Sequence, residues 1–155
     1  MVQEIINVVK RGQRGKEPLN IEKIHDMVEY AVEDISGVSS SQVEMQSGLQ
    51  FYDGMSTDEI QQILVKSAAD LISLENPNYQ YVAARLLLYS LRKQVIDKLW
   101  DHPNLYDHTK KCIEKGVYDS SIMDLYEKRD FDRMTGWINH NRDYDFTYAG
   151  LRQVI

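Results

Sequence analysis

The sequence predicts a mainly α-helical protein carrying one small β-hairpin at its N-terminus, and three observations lead there. Apolar residues recur at i, i+3, i+4 spacing along much of the chain, as they do in helices that bury one face. Helix-start residues such as Asn20, Ser39 and Ser56 stand directly before those stretches. The strand signal is confined to an apolar run at residues 5–9, followed by a glycine-punctuated turn.

The hairpin comes first. Its outgoing run, Ile5 to Val9, ends in two cations, Lys10 and Arg11. Gly12 and Gly15 mark the turn, each able to take the positive φ a hairpin needs. Pro18 ends the returning arm, and Asn20 occupies the N-cap position of an amphipathic run. Lys10, Arg11 and Lys16 are therefore expected beside a helix N-terminus, whose free N–H groups and dipole also favour an anion. That chemistry suits a phosphate chain. Glu17 and Asn20, on the same turn, are placed to read a base edge.

The first helix is expected over residues 21–34, with Ile24, Met27, Val28, Ala31, Val32 and Ile35 on its apolar face and Gly37 as its stop. A second helix follows two capping-box patterns, Ser39…Gln42 and Ser41…Glu44, and should end near Asp53-Gly54. The third carries the clearest stripe, Ile60, Ile63, Leu64, Ser67, Ala68, Leu71 and Ile72. Its capping box, Ser56…Glu59, places Thr57 in the first turn beside free N–H groups. Asn76-Pro77 breaks the chain before a fourth helix, 78–99, apolar on nearly every side and hence central. Arg92 and Lys93 near its end complement the helix dipole as well as they would an anion. Asp101-His102-Pro103-Asn104 is the best boundary, dividing a domain at 1–99 from a segment at 100–155. Shorter helices are expected there at 105–114 (stopped by Gly116), 120–128 and 130–139. A final aromatic, then amphipathic, piece at 144–155 leaves Tyr144, Phe146, Tyr148, Leu151 and Ile155 as a sticky patch.

Charge placement sharpens the reading. The 155-residue chain has a net charge of -6, which argues against general nucleic-acid binding through the phosphate backbone. No Lys or Arg occurs between Ile24 and Val65, while eight carboxylates do. Cations gather at Lys10, Arg11, Arg14, Lys16 and Lys23, and again at Arg92 and Lys93. Such a patch on an acidic protein suits one compact anion better than a polymer. The apolar runs are too short to span a bilayer, no secretory leader is visible, and a single cysteine excludes a disulfide framework or multi-thiolate zinc site. The cytoplasm is the expected compartment.

Other constellations are weaker. The four histidines, His25, His102, His108 and His140, lack metal-ligand spacing and read as surface or packing residues. Cys112, among Lys110, Lys111 and Lys115, has no recognisable partner and reads as inert. Asp143 and Asp145 form no acid–base pair with a second carboxylate cluster. The basic turn is neither a Walker A loop nor a G-x-G-x-x-G fingerprint, so the residues alone do not name a nucleotide.

Val8-Val9-Lys10-Arg11 followed by Glu17-Pro18-Leu19-Asn20-Ile21-Glu22-Lys23-Ile24 resembles the start of an ATP-cone, the adenine-nucleotide-sensing module of ribonucleotide reductases. Phe51-Tyr52-Asp53-Gly54 with Ser56-Thr57-Asp58-Glu59, and Pro77-Asn78-Tyr79-Gln80-Tyr81-Val82-Ala83-Ala84-Arg85, are similar to the large subunit of class I enzymes of bacterial and phage type. Leu105-Tyr106-Asp107-His108, Gly116-Val117-Tyr118-Asp119 and Asn141-Arg142-Asp143-Tyr144 continue the likeness. The resemblance implies a small hairpin over a four-helix bundle, then a short helical segment leading into a catalytic barrel. It also implies ATP or dATP as allosteric effector, accompanied by Mg2+, with no metal site in the protein itself. By position it implies Lys10, Arg11 and Lys93 as phosphate contacts with Arg92 alongside, Glu17 and Asn20 on the base and sugar side, Lys23 as a further cation, and Thr57 as the hydroxyl at the start of the third helix. Gln61 departs from the pattern: many dATP-inhibited members have a histidine there, which puts shut-off by dATP in question.

The catalytic cysteine pair, the substrate-specificity site and the radical-path tyrosines have no counterparts here, so the chain by itself is expected to be inactive. The implied partners are the catalytic part of the large subunit and the small radical-generating subunit. Two other readings stand beside this one. One is a free-standing ATP-cone that regulates by binding, although the family's repressors carry a zinc ribbon for which Met1 to Ile6 leaves no room. The other is a helical interaction domain whose basic turn holds no nucleotide.

Overall fold

The computed structural model describes residues 6–11 and 15–155; Ile5, Gly12 and Arg14, named above, lie outside the described residues. The chain gathers into two compact units, Met1–Leu91 with Asp143–Ile155, and Arg92–Arg142. The sequence reading divides the chain after residue 99, whereas these units meet between Leu91 and Arg92 and between Arg142 and Asp143.

In the first unit, β1 (Asn7–Val9) and β2 (Lys16–Pro18) pair antiparallel, with Val8 opposite Glu17. The Lys10 N–H donates to the Gly15 carbonyl at 3.0 Å, and Gly15 takes φ +109°, a backbone that side chains rarely tolerate. Two strands of three residues cannot hold themselves together. The support comes from residues 53–56, which run alongside β1: the Gly54 N–H donates to the Asn7 carbonyl (2.8 Å), the Val9 N–H to the Met55 carbonyl (2.9 Å), and Val9 and Ser56 form a parallel bridge. Asp53 secures the outer end by accepting both the backbone and side-chain N–H of Asn7.

Helix α1 (Ile21–Val32) begins at the expected cap, Asn20 Oδ1 accepting the Lys23 N–H at 3.0 Å. It ends two residues earlier than expected, and Asp34 (φ +59°) makes the left-handed turn ahead of Gly37. No basic residue lies in its last turn; Arg85 from the fourth helix supplies the cation instead, donating to the carbonyls of Glu33 (2.6 Å) and Ala31 (3.4 Å). Helix α2 (Ser40–Gly48) starts without the Ser39…Gln42 box. The Tyr79 hydroxyl takes its place, accepting the Ser39 N–H (3.0 Å) and donating to Gln42 Oε1 (2.5 Å). The helix stops at Gly48, short of Asp53-Gly54, because the next residues turn to meet β1.

Helix α3 (Thr57–Asp70) has its full capping box, Ser56 with Glu59, and buries Ile60, Leu64, Val65 and Ala68. Its stripe does not extend to Ile72, which is exposed beyond the helix. Helix α4 (Tyr79–Ile96) is the central rod: Tyr79, Val82, Ala83, Ala84, Leu86 and Tyr89 are all buried. It ends at Ile96, not 99, where Asp97 takes φ +57°.

The second unit contains the last turn of α4, α5 (Leu105–Glu114), α6 (Ile122–Leu125) and α7 (Lys128–Thr135). α5 has the expected bounds, with Asn104 as its cap and Gly116 at φ +70°. α6 is much shorter than expected at 120–128. α7 begins two residues earlier than the 130–139 reading and ends at Thr135, whose hydroxyl donates to the Phe131 carbonyl (2.8 Å) and accepts the Leu105 N–H (3.0 Å). Phe131 is buried, edge-on to Tyr106 and Tyr126.

A 3-10 helix, His140–Asp145, fills the gap before the expected 144–155 piece and overlaps its first two residues, and α8 (Tyr148–Val154) follows, capped by Thr147. The expected sticky patch is partly absorbed within the first unit: Leu151 is buried, and the Arg85 guanidinium lies 5.2 Å from the Tyr144 ring centre. Among the described residues no helix is long and apolar enough to cross a membrane.

Candidate functional site

Pairing of Val9 with Ser56 brings the end of β1 to the start of α3. Lys10 and Arg11 follow Val9 directly, and Thr57 and Asp58 follow Ser56, so the chain at Lys10-Arg11 runs beside a helix N-terminus. Helix starts expose N–H groups with no intrahelical acceptor, which favours negative charge there. The sequence reading places Lys10, Arg11 and Lys16 beside the start of α1; in the structure Arg11 instead reaches the first turn of α3. Arg11 Nε donates to Asp58 Oδ1 at 2.7 Å, and its Nη2 donates to the same oxygen. Lys10 Nζ pairs with Glu17 Oε2 at 2.8 Å across the hairpin. All four side chains keep 36–44% of their surface in solvent, so these pairs exchange readily.

The Lys10 hydrogen bond holds the Glu17 carboxyl below its usual range against a desolvation penalty, and the charges of Lys10 and Lys23 lower it further. Lys10, Glu17 and Lys23 thus form one electrostatic group. Asn20 Oδ1 is occupied as the α1 cap, the role expected of it. The α3 start is rigidly built. Ser56 Oγ accepts the Glu59 N–H (3.1 Å), while Glu59 Oε2 accepts from Ser56 N (2.7 Å) and Oγ (2.8 Å). These bonds, the backbone one foremost, and a third from the Tyr52 hydroxyl lower the Glu59 carboxyl.

Arg92 and Lys93 belong to the second unit, in the last turn of α4. Buried Arg92 donates from Nη1 to the Leu99 carbonyl (3.2 Å), and exposed Lys93 from Nζ to the Asp97 carbonyl (3.4 Å). Both satisfy carbonyls beyond the helix end, the dipole-complementing role. Gln61 is buried, its Nε2 donating to the Leu86 carbonyl at 2.9 Å. Its side chain therefore ties α3 to α4.

The histidines have partners the sequence did not reveal. His25 Nδ1 meets Glu44 Oε1 at 2.7 Å, joining α1 to α2. In the second unit His102 and His140 stack with centroids 3.6 Å apart. Cys112, expected to stand without a partner, lies 3.5 Å from His108 Nε2 one turn earlier, beside a groove of about 390 Å³. His102 and His140 are 38 residues apart in the chain, so no local spacing rule could have paired them.

Residues 6–94 match the ATP cone domain, more than half of the chain. The chain is a member of the ATP-cone family. Its relatives include the ribonucleoside-diphosphate reductase subunit alpha of Haemophilus influenzae, 44% identical over 147 residues and 95% of this chain. The ribonucleoside-diphosphate reductase 1 subunit alpha of Escherichia coli is 42% identical over the same length, and the subunit alpha of Enterobacteria phage T4 is 36% identical over 97% of the chain. The likeness is to the N-terminal region of those subunits, and this ATP-cone chain spans about a fifth of their length.

Proposed function

We propose that this chain is the adenine-nucleotide-binding regulatory part of a ribonucleoside-diphosphate reductase large subunit, acting in the cytoplasm in deoxyribonucleotide synthesis. The observation that carries the reading is the meeting of Arg11 with the first turn of α3, next to Lys10 and inside the stretch that matches the ATP cone. Phosphates of ATP or dATP would replace Glu17 and Asp58 as partners of Lys10 and Arg11, with Thr57 contributing its hydroxyl. Glu17, once released, and the side-chain amide of Asn20 face the base and sugar. Lys23 adds charge beside Glu17. Arg92 and Lys93 complete the proposed ligand set on the strength of family position. Mg2+ would arrive with the triphosphate.

The proposed partners are the catalytic part of the large subunit and the small radical-generating subunit; nucleic acid and membrane are not among them. Coupling requires two states that differ in nucleotide affinity. Because Gln61 is held by the Leu86 carbonyl, ATP and dATP are expected to bind with similar affinity. Calorimetric titration with ATP and dATP tests the reading, and no heat with either nucleotide would refute it. Lys93→Ala is expected to weaken ATP binding at least tenfold, about 1.4 kcal/mol; unchanged affinity would leave Lys93 with its carbonyl-capping role alone.

A further inference from the structure

The geometry points to Asp58 as a built-in competitor of the nucleotide, a carboxylate that occupies Arg11 until a more highly charged anion displaces it. This rests on the functional reading above and names a residue that tunes it. Asp58 is the second residue of α3, in the turn where the helix favours negative charge. One of its oxygens accepts both the Nε–H and an Nη2–H of Arg11, in the way a phosphate oxygen would. The capping box next to it is complete without it, since Ser56 and Glu59 satisfy each other. Asp58 is therefore not needed to start the helix. Its half-buried pair with Arg11 still reaches solvent and can exchange, and a carboxylate left at the site after exchange repels the incoming phosphate.

Both effects set a threshold. A triphosphate, with more charge, competes for Arg11 better than a single phosphate does. Removing the Asp58 charge should thus strengthen anion binding and weaken the preference for longer phosphate chains. The opposite role is equally definite: if Asp58 holds Arg11 in the pose the ligand needs, removing it weakens binding.

The test is calorimetric titration of the 155-residue chain with ATP, inorganic tripolyphosphate and adenosine, in unsubstituted, Asp58→Asn and Asp58→Ser forms, each checked by thermal unfolding. Expected is a gain of about three- to tenfold for ATP and tripolyphosphate, with adenosine unaffected. In an Arg11→Ala background the same substitution should change ATP affinity less than about twofold, because the cation it competes for is gone. Weaker or unchanged ATP binding in both Asp58 variants would overturn the inference while leaving the nucleotide reading intact. Tripolyphosphate binding that strengthens in the variants without any ATP binding would overturn the nucleotide reading and leave the role of Asp58 standing. No anion binding by any form would overturn both.

Discussion

Single residues in the site region differ in what they contribute. Gly15 is conformational: at φ +109°, a methyl group added to its Cα would have no heavy atom within 4 Å, so substitution would strain only the backbone. Gly15→Ala should therefore cost about 1–2 kcal/mol in urea unfolding. Gln61 is a packing residue that carries one buried hydrogen bond, and Gln61→Leu should lower stability by about 1 kcal/mol through loss of the donor to Leu86. His25 is an exposed switch. Its hydrogen bond to Glu44, followed by that carboxylate's charge, raises the imidazole above its ordinary value. A raised folded value means the contribution is full below the ordinary value of 6.5 and fades as pH climbs through the folded value. Unfolding midpoints measured from about pH 6 to 8 should fall slightly in the native chain, and most of that component should be lost in Glu44→Gln, since Glu29 and Asp26 raise the imidazole less than Glu44 does.

At the scale of elements, the start of α3 joins support and chemistry. Ser56→Ala removes the cap and should cost about 1 kcal/mol, read by denaturant midpoint. Glu59 behaves oppositely to His25: its carboxyl is lowered, so its stabilisation is present above its ordinary value and is lost as pH falls through the folded one. Elements with local causes were legible in the sequence. Asn20 before α1, the Ser56…Glu59 box and the Asn104 to Gly116 span of α5 are each decided by neighbours a few residues away. Others were settled by distant residues. The Ser39 box was displaced by a hydroxyl from Tyr79, α2 was cut short by pairing with β1, and Asp58 was claimed by Arg11 from 47 residues back. The cations of the site were readable as a charge patch, but their carboxylate partners depended on register across the hairpin and on which helix start it reached.

For the molecule as a whole, the C-terminal segment is part of the first compact unit, not an appendage to the second. Leu151 is buried, so Leu151→Ala should destabilise the chain by about 2 kcal/mol although it lies outside the 6–94 match.

The strip at residues 53–56 has one more consequence. Because β1 leans on it through backbone bonds, the hairpin cannot part from this strip without breaking both of them at once. Deuterium uptake at the Val9 and Gly54 amides should accordingly follow one shared opening rate, as a door and its frame would come away together.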